Sequence, residues 1–171
     1  MKVLFSGILK AVIEPSDHDG FFIEDIEQAL DDMGWPEDVA APNPPLIPTP
    51  KGAWHITLIH QSILKPYRKE LKGMEFPQPP RLPAISECTF GMRESGADNR
   101  WEPDWIPGPD YRKSFVLWFP DSYQQQLKAY VKICMLMICP LAWREDVDPE
   151  PERRFHISLA NLTGKPKDSV R

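Results

Sequence analysis

Two short segments of this chain are almost the same, and both have the alternating pattern of a β-strand. They are WHITL at 54–58 and FHISL at 155–159, and their histidines lie 101 residues apart. Residues i and i+2 of a strand point to the same side, so His55 with Thr57, and His156 with Ser158, share a face. Each strand therefore presents one imidazole and one hydroxyl, while its isoleucine, leucine and preceding aromatic residue (Trp54 or Phe155) are expected to enter the core.

Hydrophobic periodicity predicts the element order β-α-β-α-β-β-α-β. The predicted strands are 2–13 (bent at Gly7), 54–60, 84–92, 114–119 and 155–161, and the predicted helices are 21–35, 61–72 and 121–138, the last capped by Asp121 or Ser122. This order favours an α+β fold with a mainly antiparallel sheet and helices outside. A length of 171 residues favours one domain, 1–171, or two small lobes that share a core.

Proline is concentrated between these elements. The chain has 20 prolines in 171 residues, six of them within 36–50, and a second group lies at 77–83. Such segments cannot pair continuously inside a sheet, so we expect them to form rigid walls around a groove. Segment 36–50 has two further readings, a rigid connector and a peptide ligand for another protein. A long polar loop is expected at 94–113.

Charge and cysteine content restrict the function. The chain has 20 basic and 25 acidic residues, a net charge of −5, which argues against coating long nucleic acid but permits a basic pocket for a small anion. Its three cysteines show no zinc spacing, so we expect reduced thiols in a cytoplasmic protein with no metal and no cofactor. The longest apolar run, 133–139, is far short of a membrane span.

The repeated histidines suit acid–base chemistry on a phosphate. Near neutral pH one imidazole can be neutral and the other charged, so one accepts a proton while the other donates one. The hydroxyls of Thr57 and Ser158 can donate hydrogen bonds to phosphate oxygens. A single His-x-Thr strand would more simply be structural, and histidines on neighbouring strands can also bind a metal. Two matched copies favour the catalytic interpretation.

These residues carry a family resemblance. The chain resembles the 2H phosphoesterase superfamily, which is defined by two H-x-[TS]-hydrophobic motifs, here His55-Ile-Thr57-Leu and His156-Ile-Ser158-Leu. The resemblance covers nearly the whole chain and implies a duplicated, two-lobed α+β fold in which the motif strands face each other across a central groove. It also implies a hydrolase, a phosphodiesterase that needs no metal. The C-terminal run FHISLANLTGKPKDSVR resembles the small viral and phage-type branch, which includes anti-CBASS nucleases that hydrolyse cyclic di- and trinucleotides.

Three functions follow as expectations. The first is metal-independent hydrolysis of 3′-5′ or 2′-5′ bonds in small cyclic oligonucleotides, in the host cytoplasm if the chain is phage-encoded. The second is RNA end processing, either opening of 2′,3′-cyclic phosphates or an activity like that of 2′-5′ RNA ligase-like proteins. The third is a binding module that sequesters a nucleotide. Long DNA and membranes are not expected partners.

Further candidates lie outside the two motifs. Trp101, Trp105 and Tyr111 could stack on bases of the substrate, or they could pack within their loop. Asn161, followed by Thr163, could cap the end of the second motif strand. Lys165 and Lys167 could supply positive charge for a phosphate, or they could belong to a solvated tail. By simple alternation Asn161 points away from the face of His156. The same count separates His60 from His55, so we interpret His60 as structural and His18 as a surface residue.

Overall fold

The computed structural model of the chain describes residues 1–14, 22–33, 46–95, 110–140 and 153–165. The strands are β1 (Lys2–Phe5), β2 (Leu9–Val12), β3 (Ile47–Pro48), β4 (His55–Ile59), β5 (Thr89–Ser95), β6 (Arg112–Trp118) and β7 (His156–Asn161). The helices are α1 (Phe22–Met33), α2 (Gln61–Leu64) and α3 (Asp121–Ile138), with 3-10 turns at Lys51–Ala53, Lys65–Tyr67 and Ile85–Glu87.

All seven strands belong to one antiparallel sheet. Its order is β1-β2-β4-β7-β6-β5, and the short β3 pairs with β7 beside this path. The predicted α+β class with an antiparallel sheet is therefore confirmed. The two strands that carry the repeated motifs, β4 and β7, are direct neighbours and pair where Ile56 lies opposite Ile157.

The first strand differs from its prediction. Residues 2–13 form a hairpin of β1 and β2 and not one bent strand, with Lys2 opposite Val12 and Phe5 opposite Leu9. The turn needs Gly7, whose φ of 89° lies in the left-handed region that glycine adopts without steric cost. The apolar residues on both sides of Gly7 hide this turn in the sequence, because each arm has the pattern of a strand.

One face of the sheet carries the core. Ile56 and Ile157 are fully buried in a cluster that also holds Phe22 and Ile26 of α1 and Leu127 of α3, so the two long helices cover this face. Trp54 and Phe155 belong to the same cluster, which confirms their predicted place in the core. The predicted side-chain cap of α3 is wrong, since Pro120 occupies the N-cap position with no side-chain hydrogen bond.

The second proline-rich segment is held against the long helix α3. The hydroxyl of Tyr123 donates to the carbonyl of Pro80 at 3.0 Å, and that of Tyr130 donates to the carbonyl of Pro77 at 2.6 Å. Leu82 of the same segment enters the core. This segment thus lies on the helical side of the sheet, so the expectation that 77–83 walls a groove beside the motif residues is wrong.

The end of the first proline-rich segment does border a motif strand. Residues 36–45 lie outside the described residues, but β3 pairs with the last two residues of β7. The Thr49 hydroxyl lies 3.0 Å from the carbonyls of both Ser158 and Leu159 and accepts a bond from the Trp54 indole at 3.1 Å. A short edge pairing of this kind is what prolines allow in a sheet.

Two boundaries differ from the predicted ones. The helix predicted for 61–72 is only one turn, α2, followed by a 3-10 turn that holds Pro66 at its start. The strand predicted for 84–92 begins later and ends later, because 85–87 form a 3-10 turn and β5 extends to Ser95. The second shift places Arg93 within a strand.

Candidate active site

The two motifs meet on the face of the sheet opposite the core. Ile56 and Ile157 are paired and buried, so the alternating residues His55, Thr57, His156 and Ser158 point to the other side. All four are half-buried. Continuing the antiparallel register sets His55 across from Ser158 and Thr57 across from His156. The structure thus brings two imidazoles and two hydroxyls together, and we call these four residues the motif quartet.

Both motif strands carry the same irregularity, directly after the hydroxyl residue. Lys10 pairs with Thr57 but the neighbouring Leu9 pairs with Ile59, so Leu58 is an extra residue, or bulge, in β4. Val116 and Phe115 pair with Ser158 and Ala160 in the same way, which makes Leu159 the bulge in β7. Each bulge marks the end of its motif.

The bulges correct two orientation arguments. Beyond Leu159 the alternation is reversed, and Asn161 pairs with Ser114, which lies on the same side of β6 as Trp118. Asn161 is therefore on the side of His156 and not away from it. The bulge at Leu58 shifts the alternation in β4 in the same way. Alternation therefore no longer places His60 on the opposite side of the sheet from His55.

His55 is held by the backbone just before it. Its Nδ1–H donates to the carbonyl of Ala53 at 2.7 Å, which leaves Nε2 as the nitrogen that can accept or deliver a proton. Burial lowers the pKa of His55, the Ala53 carbonyl acts in the opposite direction, and the positive charge of Lys10 lowers it further. In the free protein His55 is thus a neutral imidazole at pH 7.

His156 lies in a more positive environment. Its ring meets Trp118 edge-on at 5.1 Å between centroids, and its Nδ1 lies 3.3 Å from both the Arg154 carbonyl and Arg93 Nη1. The pKa of His156 is lowered to about 4, first by burial and then by the charge of Arg93, with smaller contributions of the same sign from Arg153 and His55. The Arg154 carbonyl acts in the opposite direction.

Three arginines surround the second motif, and we call Arg93, Arg153 and Arg154 the arginine cluster. Arg93 and Arg154 lie over the Trp118 ring at 5.8 and 5.1 Å, respectively. The guanidinium of Arg153 donates to the Thr57 carbonyl, which links the two motif strands. Burial, together with the charge of Arg153, lowers the pKa of Arg93. Guanidinium groups match the oxygen geometry of phosphate, so an acidic chain has a locally basic site.

Sequence reasoning missed this cluster. Arg93 falls one residue beyond the predicted end of its strand, and Trp118 was counted only as part of a buried strand. The pair Arg153-Arg154 lies just before the predicted strand 155–161, in none of the predicted elements. Two adjacent arginines directly before the second motif were the available signal, whereas Arg93 approaches His156 only because β5, β6 and β7 are neighbours.

The residue before the second motif strand, β7, is held in place by a side chain of helix α3. Gln124 of α3 is buried, accepts from the Phe155 N–H at 2.7 Å and donates to the Phe155 carbonyl at 2.8 Å. It also contacts the Phe119 carbonyl at 3.2 Å. Because Phe155 directly precedes His156, these bonds fix the backbone from which the His156 side chain projects.

Among the remaining candidates, Tyr111 and Asn161 are buried and Lys165 is exposed. Tyr111 is 4% exposed, which fits packing within the structure and does not fit a stacking platform. Asn161 is buried and serves a turn, because its Nδ2 donates to the Lys165 carbonyl at 2.7 Å and its Oδ1 accepts from the Thr163 N–H at 3.0 Å. The Lys165 side chain is exposed. Trp101, Trp105, Lys167 and His18 lie outside the described residues.

Neither a group of metal-binding side chains nor a membrane-spanning helix is found within the described ranges. There, no three His, Cys, Asp or Glu side chains are grouped in a way that could hold a metal ion. In the same ranges, no helix combines the length and apolar character needed to cross a bilayer. Comparison with known proteins found no matching family model, no matching curated protein and no matching solved structure.

The low pKa of His156 predicts a stability effect. An unfolded histidine binds a proton near pH 6.5, but His156 in the fold does so near pH 4. Between these values the unfolded chain binds more protons, so the free energy of unfolding falls as the pH is lowered through this window. We expect His156→Gln to weaken this pH dependence in urea unfolding measured at several pH values. Equal slopes for the variant and the original chain would contradict the buried neutral imidazole.

Proposed function

We propose that the chain is a phosphodiesterase that hydrolyses small cyclic nucleotides by acid–base catalysis between His55 and His156. The observation that carries this proposal is the motif quartet, in which both imidazoles and both hydroxyls lie on one face of adjacent strands. The arginine cluster beside it supplies positive charge for a phosphate. Independence from metal follows from this chemistry and from the family resemblance.

The topology supports the duplicated, two-lobed 2H fold as part of the proposal. Apart from the short β3 and the one-turn α2, the chain order is β1-β2-α1-β4 followed by β5-β6-α3-β7, so each half has an antiparallel strand pair, a helix and a motif strand. In the sheet the two halves mirror each other, with the motif strands at the centre and the hairpins outside. The matching bulges at Leu58 and Leu159 extend the correspondence to single residues.

The proposed reaction balances its protons within the quartet. One neutral imidazole takes the proton from a water molecule or a ribose 2′-hydroxyl, whose oxygen forms the new bond to phosphorus. The other imidazole, protonated, gives its proton to the leaving oxygen as the old P–O bond breaks. Thr57 and Ser158 donate hydrogen bonds to the non-bridging oxygens, and the nearby guanidinium groups stabilise the negative charge of the transition state.

A small substrate agrees best with the charge distribution. The net charge of −5 opposes binding along a long polyanion, whereas the basic residues described at the site lie next to the motifs. We therefore propose cyclic di- or trinucleotides as substrates and the cytoplasm as the location, the host cytoplasm if the chain is phage-encoded. RNA ends with a 2′,3′-cyclic phosphate would use the same quartet and form the second arm of the test.

The test is a substrate panel. Metal-free protein is incubated with cyclic dinucleotides, cyclic trinucleotides and short RNA bearing 2′,3′-cyclic phosphate, and the products are identified by mass spectrometry. We expect linear products from the cyclic oligonucleotides, no effect of EDTA, and turnover by the His55→Ala/His156→Ala double variant that is lower by at least about 10²-fold. That variant should retain the circular dichroism spectrum of the original chain, because neither imidazole belongs to the core.

Other results would overturn the proposal in distinct ways. Turnover of RNA ends alone would assign the end-processing activity, and loss of activity on chelation would indicate a metal centre. Recovery of intact cyclic nucleotide from denatured protein, without product, would assign a binding module. Undiminished hydrolysis by the double variant would exclude the quartet as the catalytic centre.

A further inference from the structure

The two imidazoles of the quartet are not in equivalent surroundings. Both have Nδ1 near the backbone carbonyl two residues earlier, but the distance is 2.7 Å for His55 and 3.3 Å for His156. A close carbonyl stabilises the protonated ring more than the neutral one, because the bond that Nδ1–H donates is stronger when the ring is charged. By this criterion His55 is the imidazole better able to carry the catalytic proton.

The neighbouring charges act in the same direction. The charges that act on His156 are those of Arg93 from β5, Arg153 from just before β7 and His55 from β4. Its ring also meets Trp118 from β6, and the guanidinium of Arg154 lies over that same Trp118 ring. His55 faces Lys10 from β2 and His156 from β7. Arg93 approaches an imidazole nitrogen directly, because its Nη1 lies 3.3 Å from His156 Nδ1. Like charges disfavour protonation of the ring they approach.

We propose that Arg93 divides the roles of the two histidines, keeping His156 neutral as the proton acceptor and leaving His55 as the proton donor. This assignment rests on the proposed phosphodiesterase function and goes beyond it, since the motif alone treats the two histidines as equal. Arg93 is in this sense a positioning residue, because it acts through His156.

The assigned steps conserve protons. With its own proton on Nδ1, directed at the Arg154 carbonyl, His156 takes the proton of the attacking water or hydroxyl on Nε2 as the new P–O bond forms. Protonated His55 gives its proton to the leaving oxygen as that bond breaks. His55 acquires this proton when the substrate binds, because the phosphate charge raises the pKa of an adjacent imidazole. After product release, transfer of the proton from His156 to solvent restores the free protein, and His55 takes up its next proton from solvent when a new substrate binds.

The first experiment needs no substrate. NMR titration of the free protein with ¹⁵N-labelled histidine is expected to show His156 titrating at lower pH than His55. Arg93→Met, which removes the charge but keeps a long side chain, should move the titration of His156 upward by about 1 pH unit. Arg93→Lys, which keeps the charge, should move it much less. Equal shifts in both variants, or His156 titrating above His55, would overturn the proposal.

The second experiment separates donor from acceptor. In the nucleotide that the panel identifies, the leaving oxygen is replaced by sulfur, which departs without protonation. The loss caused by His55→Ala should shrink at least about tenfold on this substrate, in keeping with the weight of one proton transfer. The loss caused by His156→Ala should remain. Rescue of His156→Ala alone would reverse the assignment.

These two experiments fail independently of the proposed function. If the chain hydrolyses nothing, the titration still shows whether Arg93 separates the two imidazoles. If hydrolysis occurs but the titrations coincide, the phosphodiesterase proposal remains and only the division of roles is lost.

Discussion

Replacing His55 or His156 by alanine is expected to lower kcat/KM for the hydrolysed cyclic nucleotide by about 10²–10⁴-fold, the usual weight of one acid–base group. Each variant removes one of the two proton transfers, and the remaining imidazole cannot perform both in a single step. The kcat/KM of the double variant should be only slightly below that of the less active single variant, because the effects of groups that act as a unit are not additive. Steady-state kinetics at several pH values measures these losses.

The control for this prediction is His60→Asn. His60 lies in the N-cap position of α2, where asparagine is well tolerated, and it belongs to neither motif. We expect its kcat/KM to stay within about twofold of the original chain, in line with the small effects of substitutions outside special sites. Equal losses in all three variants would mean that the histidines matter for the fold and not for the chemistry.

Gln124→Leu is expected to be the most destabilising of the substitutions considered, by about 2–4 kcal/mol. The change removes the partners of both the N–H and the carbonyl of Phe155, and each buried polar group left unpaired costs about 1–3 kcal/mol. Urea unfolding of the variant measures this cost. Because Phe155 directly precedes His156, the folded fraction should also lose kcat/KM.

Gln126→Leu is the matched control for Gln124→Leu, since Gln126 is exposed on the same helix two residues further on. Its free energy of unfolding should change by no more than about 0.5 kcal/mol. If Gln124→Leu were equally harmless, the paired bonds to Phe155 would not hold the second motif strand in place.

The repeating elements of the fold could be predicted because each carries a local signal. The helix Asp121–Ile138 and the motif strands near 54–60 and 155–161 show clear periodicity, and the structure places them within a residue or two. The hairpin at Gly7 was not predicted, since the segments before and after Ser6-Gly7 both carry apolar residues that fit one bent strand and two paired strands equally well. Only the pairing of β1 with β2 distinguishes the two.

The candidate site was predictable in its centre and not in its surroundings. His-x-Thr and His-x-Ser are complete within three residues, so alternation alone puts each pair on one face. Arg93 lies near His156 because β5 pairs with β6 and β6 pairs with β7. These pairings depend on the whole sheet and have no local signal in the sequence. Asn161 was placed on the wrong side because an extra residue, Leu159, leaves no mark in the sequence pattern.

The central pairing of β4 with β7 has a consequence for how the protein is made. Their partners Ile56 and Ile157 are 101 residues apart along the chain, so this contact closes a long loop at an entropic cost. During synthesis, β4 leaves the ribosome with its own hairpin long before β7 exists. A truncated or nascent chain that ends before β7 has one motif imidazole and no partner for it. The proposed hydrolysis needs both halves, so its appearance during refolding would report that β4 and β7 have paired.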